Sequence, residues 1–204
     1  MNLNNTLMSI SNFLPEIFLF IMAMTILLVG IFKSLKRYVF NLTVISALIA
    51  LLLSLFAYRD DSLFIFNASL IKSNVTEFFK IICYVVFLIQ ILISQKYLRD
   101  KKLISGEFYS LLLFALIGCL IIISANNLIT LFLGIELSSL SLYSLIALNR
   151  TSLISGEAAI KYFVLSIIAS ALILFGFSYL YGITNSLMIN DIAKYLSDNE
   201  LSNL

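Results

Sequence analysis

This chain has no histidine, no tryptophan, one proline and two cysteines among its 204 residues. Cys83 and Cys119 stand singly inside apolar runs, so no spacing supports a zinc, haem or iron–sulfur site. No cofactor or metal is therefore expected here, and any redox chemistry belongs to a partner protein. Both cysteines read as small buried apolar residues. Charge is scarce as well: 12% of residues are charged and 61% hydrophobic, about half the charge of a soluble domain. That balance defines an all-α, polytopic membrane protein. The net charge of +2 is split among short loops and points to no nucleic-acid partner. No cleavable signal or Arg-rich transit peptide is evident, the first basic residue being Lys33. The missing tryptophan beside 17 phenylalanines and 10 tyrosines, with abundant Ile, Asn and Leu, points to AT-rich coding and fits an organelle genome.

What the chain does have is long apolar runs. Six of them, at about 14–32, 38–58, 78–94, 108–124, 128–148 and 158–181, are long enough to cross a bilayer, and 1–204 reads as a single membrane domain. Pro15 lies at the start of the first run, where a helix tolerates it, so proline breaks none of the six. Gly134 and Gly176 are positions where helices can approach closely. In the tail 186–204, Ile189, Ile192, Ala193 and Leu196 recur at helical spacing, as in an amphipathic helix lying on the membrane surface. The loops after spans one, three and five hold Lys33, Lys36, Arg37, Lys96, Arg99, Lys101, Lys102 and Arg150, against chiefly Arg59, Lys72 and Lys194 on the other side. Positive-inside asymmetry then places both termini outside.

The most informative residue is Glu136, because no other charge lies between Glu107 and Arg150. The run around it, at 1.5 Å per residue, spans about 31 Å, the thickness of a hydrocarbon core. A carboxylate at that depth costs at least ~2.5 kcal/mol, so it normally faces a protein interior or a water path. On a helix Ser139, Leu140 and Tyr143 share its face. Such a stripe of carboxylate, hydroxyl and phenol can hold water and pass protons. The plainer reading is a neutral acid bonded to a neighbouring helix.

Lys161 is the second candidate. With a helix starting near Glu157 or Ala158 it lies in the first turn, where a snorkelling side chain paired with Glu157 is the plain structural reading. Glu16, Lys80 and Glu107 sit at span mouths and read as headgroup-level charges. Asn126 and Asn127 read as turn formers, and Arg59-Asp60-Asp61 and Lys101-Lys102 as solvated loops.

Several segments together resemble a known family. Gly106-Glu107-Phe108-Tyr109 leads on to Ser124-Ala125-Asn126-Asn127-Leu128-Ile129-Thr130-Leu131-Phe132-Leu133-Gly134-Ile135-Glu136-Leu137. Ser141-Leu142-Tyr143, Glu157-Ala158-Ala159-Ile160-Lys161-Tyr162-Phe163 and Tyr179-Leu180-Tyr181-Gly182-Ile183-Thr184 follow in order, and Leu14-Pro15-Glu16 fits the opening of the first helix. This series resembles the antiporter-like membrane subunits of respiratory complex I, and among them the chain 2 family, called subunit N in bacteria.

The resemblance implies the first part of that fold and a membrane-arm subunit that takes part in proton translocation coupled to NADH:ubiquinone electron transfer. It maps the family's fifth-helix glutamate onto Glu136 and the lysine of its Glu-Ala-x-x-Lys-Tyr-Phe segment onto Lys161. In the family the glutamate pairs with a lysine on a broken seventh helix, so that one charge alters the other's proton affinity. Family chains are about twice as long, with two inverted-topology repeats. This sequence stops at Leu204, where the seventh helix is due. Two expectations follow, a split gene whose second product carries the remaining helices, or a reduced subunit that does not pump. The intact motifs around Glu136 and a break falling in a polar tail favour the split. Expected partners are other membrane-arm subunits, that second chain and lipid. The expected location is the mitochondrial inner membrane, with the bacterial plasma membrane as the alternative. Rival functions are a subunit of a multi-subunit cation/proton antiporter and a non-pumping scaffold.

Overall fold

Long apolar segments in lipid must pair their own amides and carbonyls, and a helix does so within one segment. The computed structural model describes residues 12–32, 36–56, 63–100 and 105–201. Its elements are α1 (Leu14–Ile31), α2 (Lys36–Phe56), β1 (Leu63–Ile65), β2 (Leu70–Lys72), α3 (Asn74–Asp100), α4 (Gly106–Ser124), α5 (Leu128–Ile146), α6 (Leu153–Thr184) and α7 (Ile189–Leu201). The first six helices are each long and apolar enough to cross a membrane. They run alternately up and down. One end therefore carries the β1–β2 hairpin, the α4–α5 turn and the α6–α7 link, and the other the starts of α2, α4 and α6.

Helix α4 is central, packing against α1, α2, α3 and α5. Its Leu112, Leu113, Leu116, Ile117 and Leu120 form much of the core with Leu19, Ala23 and Ile26 of α1. Two glycine pairs set the spacing. A Cβ on Gly106 would lie 2.4 Å from the Gly30 Cα, and one on Gly118 would lie 2.7 Å from the Ser138 N. Close backbone approach of this kind replaces the hydrophobic drive that lipid does not supply. Ser110 Oγ, on α4, donates to the Ala23 carbonyl of α1 at 2.9 Å. Gly134 was a sequence candidate and takes part in the α4–α5 contact, whereas Gly176 has nothing within 4 Å of a Cβ.

Three boundaries differ from the hydropathy reading. Helix α3 runs beyond 78–94 at both ends, and Ser73 and Thr76 cap its start. Helix α6 begins at Leu153, where the Ser152 hydroxyl accepts from the Ser155 amide at 3.3 Å. The segment before α3 holds an antiparallel hairpin with Leu63 opposite Lys72 and Ile65 opposite Leu70. Arg59-Asp60-Asp61, Lys101-Lys102 and residues 202–204 of the tail lie outside the described residues.

The hairpin turn is strained and held from outside. Phe66, Asn67 and Ala68 all have φ between 50° and 65°, a region that side-chain-bearing residues seldom occupy. Asn126 Nδ2 donates to the Ala68 carbonyl at 2.8 Å, and the Asn126 amide donates to Ser69 O at 2.9 Å. The Ile189 amide in turn donates to Asn126 O at 2.8 Å. Asn126 is thus the buried joint of the hairpin end, while Asn127 caps α5 by accepting from the Ile129 amide. Asn126→Ala is expected to destabilise the hairpin by about 1–3 kcal/mol by orphaning the Ala68 carbonyl. Hydrogen exchange in micelles should show faster exchange over 63–72 and no change in α6; unaltered exchange at 63–72 would mean the turn holds itself.

Helix α6 differs from the rest. It packs on α5 and touches α7, and Ala159 is its one buried residue. Asn185 ends it in the left-handed conformation (φ 52°), its amide donating to Tyr181 O at 2.8 Å.

Candidate functional site

Glu136 lies at the middle of α5, on the side facing α6. Its Oε1 accepts a hydrogen bond from the Ser170 hydroxyl of α6, and the residue is half-buried. The serines of its own helix are engaged elsewhere: Ser138 donates to Ile135 O at 2.9 Å, Ser141 to Leu137 O at 2.7 Å and Ser144 to Leu140 O at 2.7 Å. Only the neighbouring helix reaches the carboxylate among the described residues. Two turns along, the Tyr143 ring meets Phe163 and Tyr162 edge-on, at 5.2 and 6.2 Å between centroids. The Glu136 stripe therefore meets an α6 stripe of Tyr162, Phe163 and Ser170. Sequence reasoning missed Ser170, whose signal was a hydroxyl near the midpoint of a long apolar run.

Lys161 is not in the first turn, since α6 starts at Leu153. Its ammonium lies 2.5 Å from Glu157 Oε1, and both side chains are about two-thirds exposed, at 70% and 66%. Ser170 is nine residues further along α6, about 13 Å at 1.5 Å per residue. The structure brings Lys161 to Glu157 and not to Glu136. At about 48 Å, α6 exceeds a ~30 Å hydrocarbon core, so its ends extend past the core while the Lys161–Glu157 pair falls near the core's edge.

The headgroup-level reading of Glu16 and Lys80 is overturned. Lys80 Nζ lies 2.7 Å from Glu16 Oε1 and 3.2 Å from Glu77 Oε1, and all three side chains are at least 95% buried. Ser54 Oγ donates to Glu77 Oε2 at 2.8 Å. Hydropathy along one segment cannot reveal this, because the partners come from α1, α2 and α3. Glu107 does stay exposed, 3.9 Å from Arg150 at the opposite end. Cys83 is half-buried, whereas Cys119 is exposed rather than buried as expected, and both line a groove of about 260 Å³ between α3, α4 and α5.

The fold is all-helical, with six helices long and apolar enough to cross a membrane and a carboxylate at the middle of α5. Residues 125–204, which hold Glu136, match the family described as NADH:quinone oxidoreductase/Mrp antiporter, transmembrane. The resemblance read from the motifs holds: over nearly its whole length the chain is similar to bacterial proteins named NADH-quinone oxidoreductase subunit N. It is 40% identical to that subunit from Ruthia magnifica over 190 residues, 92% of this chain and 39% of the relative. With the subunit from Thioalkalivibrio sulfidiphilus it shares 38% identity over 185 residues, 90% of this chain and 38% of the relative. The chain thus spans about two-fifths of the length of these curated relatives.

Two solved assemblies share the fold. A chain of respiratory complex I from Thermus thermophilus aligns with a TM-score of 0.71 and 24% identity over 85% of this chain and 38% of that one. A chain of the membrane-bound sulfane sulfur reductase, an archaeal respiratory membrane complex, aligns at 0.75 with 22% identity over 91% of this chain and 40% of that one. The relatives named are bacterial, so the expectation of a mitochondrial inner membrane finds no support in them.

Proposed function

We propose that this chain is a membrane-arm subunit of an NADH–quinone oxidoreductase and that Glu136 exchanges protons during its turnover. The carrying observation is the Glu136–Ser170 pair at the middle of α5. A hydroxyl both donates and accepts. The ionised carboxylate accepts from Ser170, and the protonated acid can donate to the same oxygen, so the pair suits both states without moving either helix. A carboxylate pinned by several fixed donors would instead be locked in one state.

In this reading the chain carries no cofactor, and electrons move from NADH to quinone in partner subunits. Conformational or electrostatic coupling changes the proton affinity of Glu136. Lys161 is the next charged group along α6, and the exposed face of α6 is where further helices dock. These are the helices that make up the rest of the relatives' length, from a second polypeptide in the split-chain reading, with other membrane-arm subunits beside them. The membrane is the bacterial plasma membrane, in keeping with the relatives.

The family description also names antiporters, so a cation/proton antiporter subunit is the second reading. Co-purification with flavin and iron–sulfur subunits separates the two. Glu136→Gln, in the assembled complex reconstituted into vesicles, is expected to keep NADH oxidation while proton uptake per NADH falls severalfold. Glu136→Asp should recover part of it. Full pumping by an assembled Glu136→Gln complex would sink the proposal, and loss of assembly without a specific loss of pumping would favour a scaffold.

A further inference from the structure

The buried ionic cluster at the hairpin end lies wholly outside residues 125–204, and the Glu136 reading makes no use of it. It is assembled from three helices: Glu16 in the first turn of α1, Ser54 in the last turn of α2, and Glu77, Lys80 and Tyr84 along α3. Glu77, Lys80 and Tyr84 follow one another at i, i+3 and i+7, so they share one face of α3. Lys80 is bound by both carboxylates, at 2.7 and 3.2 Å. Ser54 completes Glu77. Among the described residues two buried oxygens of the cluster have no hydrogen-bond partner, Glu16 Oε2 and the Tyr84 hydroxyl. Both residues are nearly sealed, at 2% and 0% exposure.

A buried carboxylate oxygen without a donor is costly, and two carboxylates against one ammonium leave a negative charge in excess. Among the described residues Lys72 of β2 is a further buried cation at this end, and its ammonium reaches Asn12, one turn before Glu16. Cys83 is the other titratable neighbour on α3. Helix α4 offers Cys119, which neighbours Cys83, whereas its Glu107 and Tyr109 sit at the opposite end. The cation position between the carboxylates is already filled by Lys80, so a metal ion would have to displace it. A proton needs no such room, and it satisfies the orphan oxygen directly.

We propose that the Glu16–Lys80–Glu77 cluster is a second proton-exchange site, at the hairpin end of the leading helices, in which Glu16 Oε2 takes up and releases the proton. On uptake, hydronium on the hairpin side gives its proton to a lone pair of Glu16 Oε2, an O–H bond forms and water is left. On release the same bond breaks, and Lys80 remains an ammonium throughout. Ser54 donates to Glu77 Oε2, whereas Glu16 Oε2 has no donor among the described residues, so the two acids are not equivalent. Tyr84, a neighbour of both Glu16 and Glu77, is a positioning residue whose hydroxyl accepts from the new O–H once the two side chains close on each other. The part of the proposal that concerns turnover rests on the proton-pumping reading; proton binding at the cluster does not.

The test uses the assembled complex. Infrared titration of the carboxyl C=O band should show a protonation step that is lost in Glu16→Gln and retained in Glu136→Gln. Tyr84→Phe removes a hydroxyl with no hydrogen-bond partner among the described residues, so a purely structural cluster should tolerate it. On the proposal it shifts the infrared step and slows proton uptake about fivefold, the equivalent of one hydrogen bond. Where single charge changes prevent assembly, the neutral variant Glu16→Gln/Glu77→Gln/Lys80→Met leaves none of these three positions charged. It should assemble, oxidise NADH and pump less, with an altered pH profile. An infrared step unchanged in Glu16→Gln overturns the site. Tyr84→Phe and neutral variants that both keep the wild-type pumping ratio and pH profile overturn its part in turnover. If cluster variants show the infrared change while Glu136→Gln pumps fully, the cluster stands and the Glu136 reading falls.

Discussion

Lys80→Met is expected to leave little folded chain in the membrane. Its ammonium is the shared partner of Glu16 and Glu77, at 2.7 and 3.2 Å, and all three are buried. Removing one partner of a buried ion pair costs about 3–5 kcal/mol, because the remaining charge keeps its desolvation cost and loses its attraction. Here two carboxylates are left facing each other. A domain is stable by only about 5–15 kcal/mol, so the loss is a large share of the total. Quantifying the chain in purified membranes, and its unfolding midpoint in mixed detergent–SDS micelles, checks this. The neutral triple variant should recover most of the stability, since apolar or neutral replacements of a buried ionic group are often harmless. Lys80→Met accumulating like the wild type would mean the cluster is wetter and more adaptable than its burial implies.

Gly106→Val is the second large effect. Its Cβ would sit 2.4 Å from the Gly30 Cα and 2.9 Å from the Ile26 carbonyl oxygen, and both obstacles are backbone. No rotamer relieves that contact, so α1 and α4 must separate. Separation would strain the Ser110–Ala23 hydrogen bond and the edge contact of Phe20 with Phe114, both between α1 and α4. Overpacking of this sort costs about 1–3 kcal/mol or more. Gly176→Val is the matched control, because nothing lies within 4 Å of its Cβ, and its effect should stay within about 0.5 kcal/mol. Equal shifts of the unfolding midpoint for the two would show that the α1–α4 contact is not tight.

The candidate site was half legible in advance. Glu136 stood out because one charge in a long apolar run is a property of a single segment. Its partner Ser170 did not, because a lone serine in such a run is ordinary until a neighbouring helix turns it toward an acid. Lys161 was flagged with Glu157 as its partner, and the structure shows that pair. Its depth was misjudged because the start of α6 is set by the Ser152 cap rather than by hydropathy. Glu16 and Lys80 were misread for a related reason. Near a span's end, charge next to water and charge buried in protein look alike along one helix.

By itself, then, the sequence settled that six apolar segments become helices and that Glu136 lies at mid-depth in one of them. Both are local properties, since segment length, hydropathy and backbone pairing within lipid involve no distant residue. Tertiary structure alone decided which side chains meet: Ser170 with Glu136, Asn126 with the strained hairpin, and Glu16 with Lys80 and Glu77. Those meetings follow from which helices pack together, and backbone contact at Gly30–Gly106 and Gly118–Gly134 sets that packing.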